Sequence, residues 1–572
     1  MKRLLLLIML LALPLSLSAQ SIPATTPATA PAEPAKSSTP SNPPPALVSA
    51  DKLAITKHQI TLNNQPFPYT TTAGYLPLKS ENDKLRANIF FIAYTKDSPP
   101  SPDATNNSAT APSSIENPST SVQFPVSSVQ LEDHGNSSLA ASPRRPVTAS
   151  FAPPSRPVTF IFNGGPGAAS VWLHLGTAGP YRIALNKDGS APPPPFKLVE
   201  NAFTWLTDTD LVFIDPVGTG YSRAATPEQA KEFYNTQEDI ASMGEFIRLW
   251  TTRYQRWDAP KFLAGESYGT TRAAALAQHL QDHVGMALNG VVLISSVLNF
   301  QTLAPSEAND LPYALFLPTY TATAFYHQKL PTELQRDLPQ TLAQVREFAL
   351  TTYLTALAKG SALPAAQRGA VLEQLSRYTG LSVDYLDKSN LRLDPARFQH
   401  QLLLDKRLVV GRMDTRVTGP MADAVNDAAP YDPSLAGATP VYAATFNSYI
   451  RQNLRYENEL PYEVLKGIPW NFHAGKGGGG GGNGYLYVGD NLRSAMQKNP
   501  HLQVLVASGY YDLATPFLSA DYTVDHLTLT PALRSNITQT YYHGGHMFYH
   551  HTAALEKFHQ DLSAFIKAAT PR

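Results

Sequence analysis

The sequence predicts an α/β fold, with a mostly parallel central sheet and a largely helical cap inserted late in the core. Two observations lead there. Apolar runs at 158–162, 211–214, 261–264, 291–294, 504–507 and 538–542 alternate with helix-like stretches over most of the chain, the rhythm of an open sheet wound with helices. The segment Gly265-Glu266-Ser267-Tyr268-Gly269 lies between the apolar run from Lys261 and an Ala-rich helical pattern from Thr271. That is the strand, sharp turn and helix context that a G-x-S-x-G elbow requires.

The two glycines of the elbow have a physical reason. The turn is strained and crowded, and a side chain at either place would meet neighbouring backbone. The turn pushes the Ser267 hydroxyl out at the carboxyl end of the sheet, where a base can reach it. Asn163-Gly164-Gly165-Pro166-Gly167 follows the β-rich run 158–162 directly, and its glycines leave backbone N–H groups free to face a developing oxyanion. Asp512 comes just after the run 504–507 and a short turn, and His546 just after 538–542. Ser267, Asp512, His546 is the nucleophile, acid, base order of α/β-hydrolases, so an α/β-hydrolase fold with those three as catalytic residues is expected.

Four motifs in this order also carry a family resemblance. Asn163-Gly-Gly-Pro-Gly167, Asp215-Pro-Val-Gly-Thr-Gly-Tyr-Ser222, Gly265-Glu-Ser-Tyr-Gly269 and Gly545-His546-Met547 look like the serine carboxypeptidase family. The resemblance covers about 157–300 and 500–572, is weak across 301–499 and is absent from the first 50 residues. It implies that Ser267 is the nucleophile, His546 the general base and then acid, and Asp512 the residue that orients the imidazole. The oxyanion hole would be the amides of Gly165 and Tyr268. Asn163, the Gly164 amide and Glu266 would bind a free C-terminal carboxylate. The chain departs from the family where a second Glu is expected: that place falls at Thr177. A lone Glu266 can donate to a substrate carboxylate only when protonated, which implies a preference for acidic pH, milder here for want of the partner acid.

Composition fits a folded enzyme and names no partner. The chain has 572 residues, 43% of them apolar, and Lys plus Arg equals Asp plus Glu at 45 each. Without a basic field nucleic acid is not expected. There are no cysteines, which excludes disulfides, thiol catalysis and thiolate metal sites. Ala168 stands where many relatives carry Cys. The cysteine-free composition suggests a bacterial-type member of the family. No cofactor and no metal are expected. His543, His546, His550 and His551 cluster, but His546 already has a role and the others lack ligand spacing on one face. The glycine run 477–482 lacks the Lys-Ser/Thr of a phosphate loop and reads as a linker, and Asp215-Pro-Val-Gly-Thr-Gly220 reads as a structural or substrate-lining loop.

Met1-Lys2-Arg3, an apolar run from Leu4 to Leu17 and Ser18-Ala19-Gln20 read as a signal peptide over 1–19, so export to a periplasmic or extracellular site is expected. An uncleaved anchor, and with it membrane attachment, stays open because Leu17 is imperfect at the cleavage site. Residues 20–50 read as a Pro/Ala/Thr-rich linker. The first part of the core is expected over 51–300, with a low-complexity insertion at 97–156. The cap is expected over 301–499, with helices at 340–359 and 364–378, and the rest of the core over 500–572. By resemblance, the function expected is a secreted serine carboxypeptidase acting on peptides. A related esterase, amidase or acyltransferase with the same triad stays open, as does a non-catalytic binding protein on a hydrolase scaffold.

Overall fold

The computed structural model describes residues 53–97, 156–307, 309–425, 428–472 and 484–570, all within one compact unit, Leu47–Arg572. The expected signal peptide, the linker, nearly all of the 97–156 insertion and the glycine run lie outside the described residues.

Six strands form a parallel block in the order Asp210–Ile214, Val158–Phe162, Lys261–Glu266, Gly290–Ile294, Gln503–Gly509, Ile537–Tyr542. These are the six runs expected from sequence, and the crossed order makes the sheet an α/β-hydrolase type. Three long antiparallel strands, Ala54–Leu62, Gln65–Lys79 and Leu85–Lys96, extend one edge.

The parallel strands are apolar along their whole length because both faces are covered. Alternate residues serve opposite layers. Phe160, Leu263, Val291, Leu293, Val504 and Val506 join one core; Ile161, Phe262, Ala264, Val292, Leu505 and Ala507 join the other. The first layer includes the helices Thr236–Arg253 and Tyr268–His279. Asn235 caps the former by accepting from the Glu238 amide.

The region after 301 is mainly helical and has a core of its own. Leu338–Phe348 runs on through a π turn into Leu354–Lys359 and stops at Gly360. Ala365–Thr379 begins after Pro364 and ends at Gly380 in the left-handed conformation. Both glycine stops follow from the lack of a Cβ at positive φ. The helical core reaches the sheet through Tyr511, Leu513 and Phe517, which flank Asp512. The strand-and-helix rhythm resumes with the helix Gly489–Lys498, whose Ala495 and Met496 pack into the same layer as Leu276 and Leu280.

The elbow depends on bare backbone. A Cβ on Gly265 would sit 2.1 Å from the Gly269 carbonyl oxygen. Gly265→Ala is therefore expected to destabilise the fold by about 2–4 kcal/mol, read as a fall in thermal midpoint against the parent protein.

Candidate active site

Ser267 occupies φ 60°, ψ −129° between the strand Lys261–Glu266 and the helix Tyr268–His279. That backbone is sparsely populated and must be held by its surroundings. The Ser267 amide donates to the Ile294 carbonyl at 3.0 Å. Gly164 lies so close to the elbow that a Cβ there would be 2.5 Å from the amide nitrogens of both Tyr268 and Gly269. Arg272, buried one turn into the helix, donates to the Asn163 carbonyl at 2.6 Å and pairs with Asp239 at 2.9 Å. The helix and the 163–167 turn are thereby tied together.

Asp512 and His546 come from the two strands beyond, and both are buried. His546 Nδ1 lies 2.8 Å from Asp512 Oδ2. Asp512 also accepts from the amides of Ala514 and Thr515 and from the Thr515 hydroxyl at 2.6 Å. Burial opposes charge on the imidazole, but the Asp512 carboxylate more than offsets it and holds His546 above its ordinary value. Ser267 and His546 line one cavity of about 160 Å³ together with Asn163, Gly164, Gly165, Glu266 and Tyr268. No hydrogen bond joins Ser267 to His546 among the described residues, a separation common before substrate is bound. The Tyr268 amide heads its helix and so has no intrahelical acceptor. It shares the cavity with Gly165, whose φ of 97° favours glycine.

Glu266 is the third buried titratable group here. Asn163 donates to its Oε1 at 3.1 Å and the Tyr549 hydroxyl to its Oε2 at 2.6 Å. Asn163 is oriented in turn by the Leu173 amide, which donates to Oδ1. Burial raises the Glu266 carboxyl to about 7, against the opposing pull of His546 and of the Tyr549 and Asn163 hydrogen bonds. Thr177 makes no such contact: among the described residues its buried hydroxyl has no hydrogen-bond partner, and its carbonyl accepts from Asn201. The group that faces Glu266 is a phenol instead of a second carboxyl.

Four residues of the site were not legible from motif reasoning. Thr515 holds Asp512, and its place three residues on is a local side-chain-to-backbone turn pattern that could have been noticed. Tyr549 carries no spacing signal. The segment Arg412–Met413 is brought in only by folding: the His546 amide donates to the Met413 carbonyl and the Leu513 amide to the Arg412 carbonyl.

Asp215 lies under the rim, where it accepts from the Ser170 amide at 2.9 Å and from Tyr462, and is pushed up to about 6 by burial. A Cβ on Gly220 would clash with its carboxylate, so this loop is a packed support. His550 bonds the Tyr442 hydroxyl at 2.7 Å. Among the described residues, no group of three or more His, Asp or Glu could hold a metal ion, and no helix is long and apolar enough to cross a membrane. Since the Tyr549 hydrogen bond favours the Glu266 anion, Tyr549→Phe is expected to move Glu266 titration upward. A difference infrared titration against Glu266→Gln measures it, and a downward shift would contradict the assigned contact.

Residues 147–365 match the family model of serine carboxypeptidases. Serine carboxypeptidase 24 of Arabidopsis thaliana is 30% identical over 148 residues, 24% of this chain and 28% of that protein. The pheromone-processing carboxypeptidase KEX1 of Yarrowia lipolytica is 30% identical over 150 residues, 26% of this chain and 23% of that protein. Serine carboxypeptidase-like 46 of Arabidopsis thaliana is 26% identical over 200 residues, 32% of this chain and 40% of that protein. The chain thus spans well under half the length of these relatives. They come from a plant and a yeast, so the bacterial-type expectation is not borne out. Among solved structures, a proline iminopeptidase from Mycobacterium smegmatis aligns at a TM-score of 0.30 with 16% identity, over 73% of this chain and 91% of that one. The fold assignment rests instead on the strand order above. Asp512 and His546 lie outside the matched segment, and only the folded geometry brings them to Ser267. The likeness to serine carboxypeptidases is thus carried by residues 147–365, which include the elbow that presents Ser267.

Proposed function

We propose that this protein is a serine carboxypeptidase, which removes the C-terminal residue of a peptide through an acyl-enzyme on Ser267. One observation carries the reading: a buried, hydrogen-bonded Asp512–His546 pair opens onto the same cavity as a serine on a strained elbow. In this mechanism His546 takes the Ser267 proton as the hydroxyl attacks the scissile carbonyl. Asp512 fixes the ring tautomer and stabilises the imidazolium. The amides of Gly165 and Tyr268 hold the oxyanion, each such donor being worth about 2.7–4 kcal/mol. His546 then protonates the leaving amine, and water releases the acyl group.

Asn163, the Gly164 amide and protonated Glu266 would hold the substrate's terminal carboxylate. Two anions in this dry site would repel, so binding weakens as Glu266 ionises near its value of about 7. The phenol of Tyr549 keeps one Glu266 oxygen occupied, in place of a second acid that could share a proton. That feature supports a second reading, an esterase, amidase or acyltransferase with the same triad. Export to a periplasmic or extracellular site is proposed from the sequence of residues 1–19, and peptides are the proposed substrates.

Blocked dipeptides with a free carboxylate, and the same dipeptides as amides or esters, test these readings across acid to neutral pH. Cleavage of the free acids by the parent protein, absent in Ser267→Ala, is expected. Cleavage of esters alone would favour the second reading. No Ser267-dependent turnover together with no fluorophosphonate labelling would favour a binding protein. Asp512→Asn is expected to lower kcat by about ten-thousandfold, since the imidazole then loses the acceptor that sets its tautomer.

The pH profile has a defined sign. His546 must be neutral, so kcat/KM rises with pH through its raised value; Glu266 must be protonated, so kcat/KM falls again near 7. Glu266→Gln is expected to remove the falling limb, and amide substrates to lack it even with the parent protein. An unchanged profile in Glu266→Gln would take Glu266 out of this role.

A further inference from the structure

The cavity has one charged group that the mechanism does not use. Arg412 lines it beside Met413, Leu435, Thr515 and His546. Its side chain is exposed and has neither an ion pair nor a hydrogen bond among the described residues. Its neighbour Arg416 shows the contrast: it is locked to Asp414 at 2.6 Å and donates to the His543 carbonyl. An unpaired guanidinium at a cavity wall has its donors free to meet an anionic group.

The backbone that carries it is unusually well fixed. The amides of Arg412 and Met413 donate to the two oxygens of Asp432, at 3.1 and 3.2 Å. Asp432 also caps the helix Pro433–Gln452. The Arg412 carbonyl accepts from Leu513, next to Asp512, and the Met413 carbonyl from His546 itself. The cation thus stands on a strap bonded to both the acid loop and the base loop. Its charge opposes that of the imidazolium, so an anion bound there would offset charge that grows as His546 takes its proton. Asn163, Gly164 and Glu266, assigned above to the terminal carboxylate, come from a different wall, the ends of the core strands.

We propose that Arg412 is a specificity-determining residue that favours peptides with an acidic side chain, Asp or Glu, on a residue flanking the bond that Ser267 attacks. The inference rests on the peptidase reading of the same site. A fork of five fixed donors matches a carboxylate in two parallel hydrogen bonds, which a lysine could not reproduce.

The test uses the full chain, Arg412→Gln and Arg412→Glu, with blocked dipeptides that differ only in Glu, Gln or Lys at either flanking position. Fluorophosphonate labelling of Ser267 checks that each variant is folded. The parent is expected to prefer Glu over Gln by about tenfold in kcat/KM, the worth of a charge-assisted hydrogen bond at an exposed cation. Arg412→Gln should abolish the preference, and Arg412→Glu should turn it toward Lys. Equal rates for Glu and Gln in the parent, or a preference that survives Arg412→Gln, overturn the proposal. So does an equal loss for Glu and Gln peptides confined to free acids over amides, because Arg412 would then hold the terminal carboxylate. Calorimetric binding of the same peptides to Ser267→Ala separates the two readings. Glu-selective binding that depends on Arg412, without turnover of any peptide by the parent, overturns the peptidase reading and supports the acidic site. Turnover without Glu selectivity does the reverse.

Discussion

The close approach of two backbone turns at the end of the central strands governs the whole site. The 163–167 turn and the 265–269 elbow meet where Gly164, Gly265 and Gly269 allow main chain to touch main chain. Ser267 pays a conformational penalty of about 1–3 kcal/mol for its backbone, and several neighbours hold it there. The Ile294 carbonyl takes its amide. Arg272 binds the Asn163 carbonyl and neutralises buried Asp239. The same contact that strains the serine also sets the amides of Gly165 and Tyr268 and the side chains of Asn163 and Glu266 around one cavity.

A second layer of organisation is electrostatic. Asp512, His546 and Glu266 lie buried within reach of each other's charge. Asp512 is surrounded by donors, so a negative charge is well solvated by the protein there. Glu266 has two donors, and burial raises its carboxyl to about 7 against their pull. The two carboxyl groups thus differ in surroundings: Asp512 is bonded to the His546 imidazole, and Glu266 to a phenol and an amide.

Residues between 301 and 499 line the cavity and also bond to its loops. The strap at 412–414 bonds the loops that bear Asp512 and His546, and a Cβ on Gly545 would strike the Met413 carbonyl. A later stretch crosses the rim again: Val464 accepts from Ala169, and Gly167 leaves room for the Lys466 carbonyl. The loops that bear Asp512 and His546 and the 163–167 turn are each bonded to residues between 412 and 466, so the packing of that region and the geometry of the site are coupled.

The sequence by itself determined the parallel strands and the elbow, because continuous apolar runs, paired glycines and strand-end polar residues are local signals. Val158–Phe162 and Gly290–Ile294 read as buried strands for the reason that they are buried on both faces. The stops at Gly360 and Gly380 were equally legible, since only positive φ calls for glycine there. Thr177 has no carboxyl, but the group that faces Glu266 instead cannot be read from spacing. Tyr549 arrives from a turn after the last strand, 283 residues from Glu266 along the chain. Arg412 and Met413 come from the insertion, where no repeat or motif sets the register. Those contacts join segments far apart in sequence, and only the tertiary structure decided them, because burial and hydrogen-bond partners depend on which distant surfaces meet.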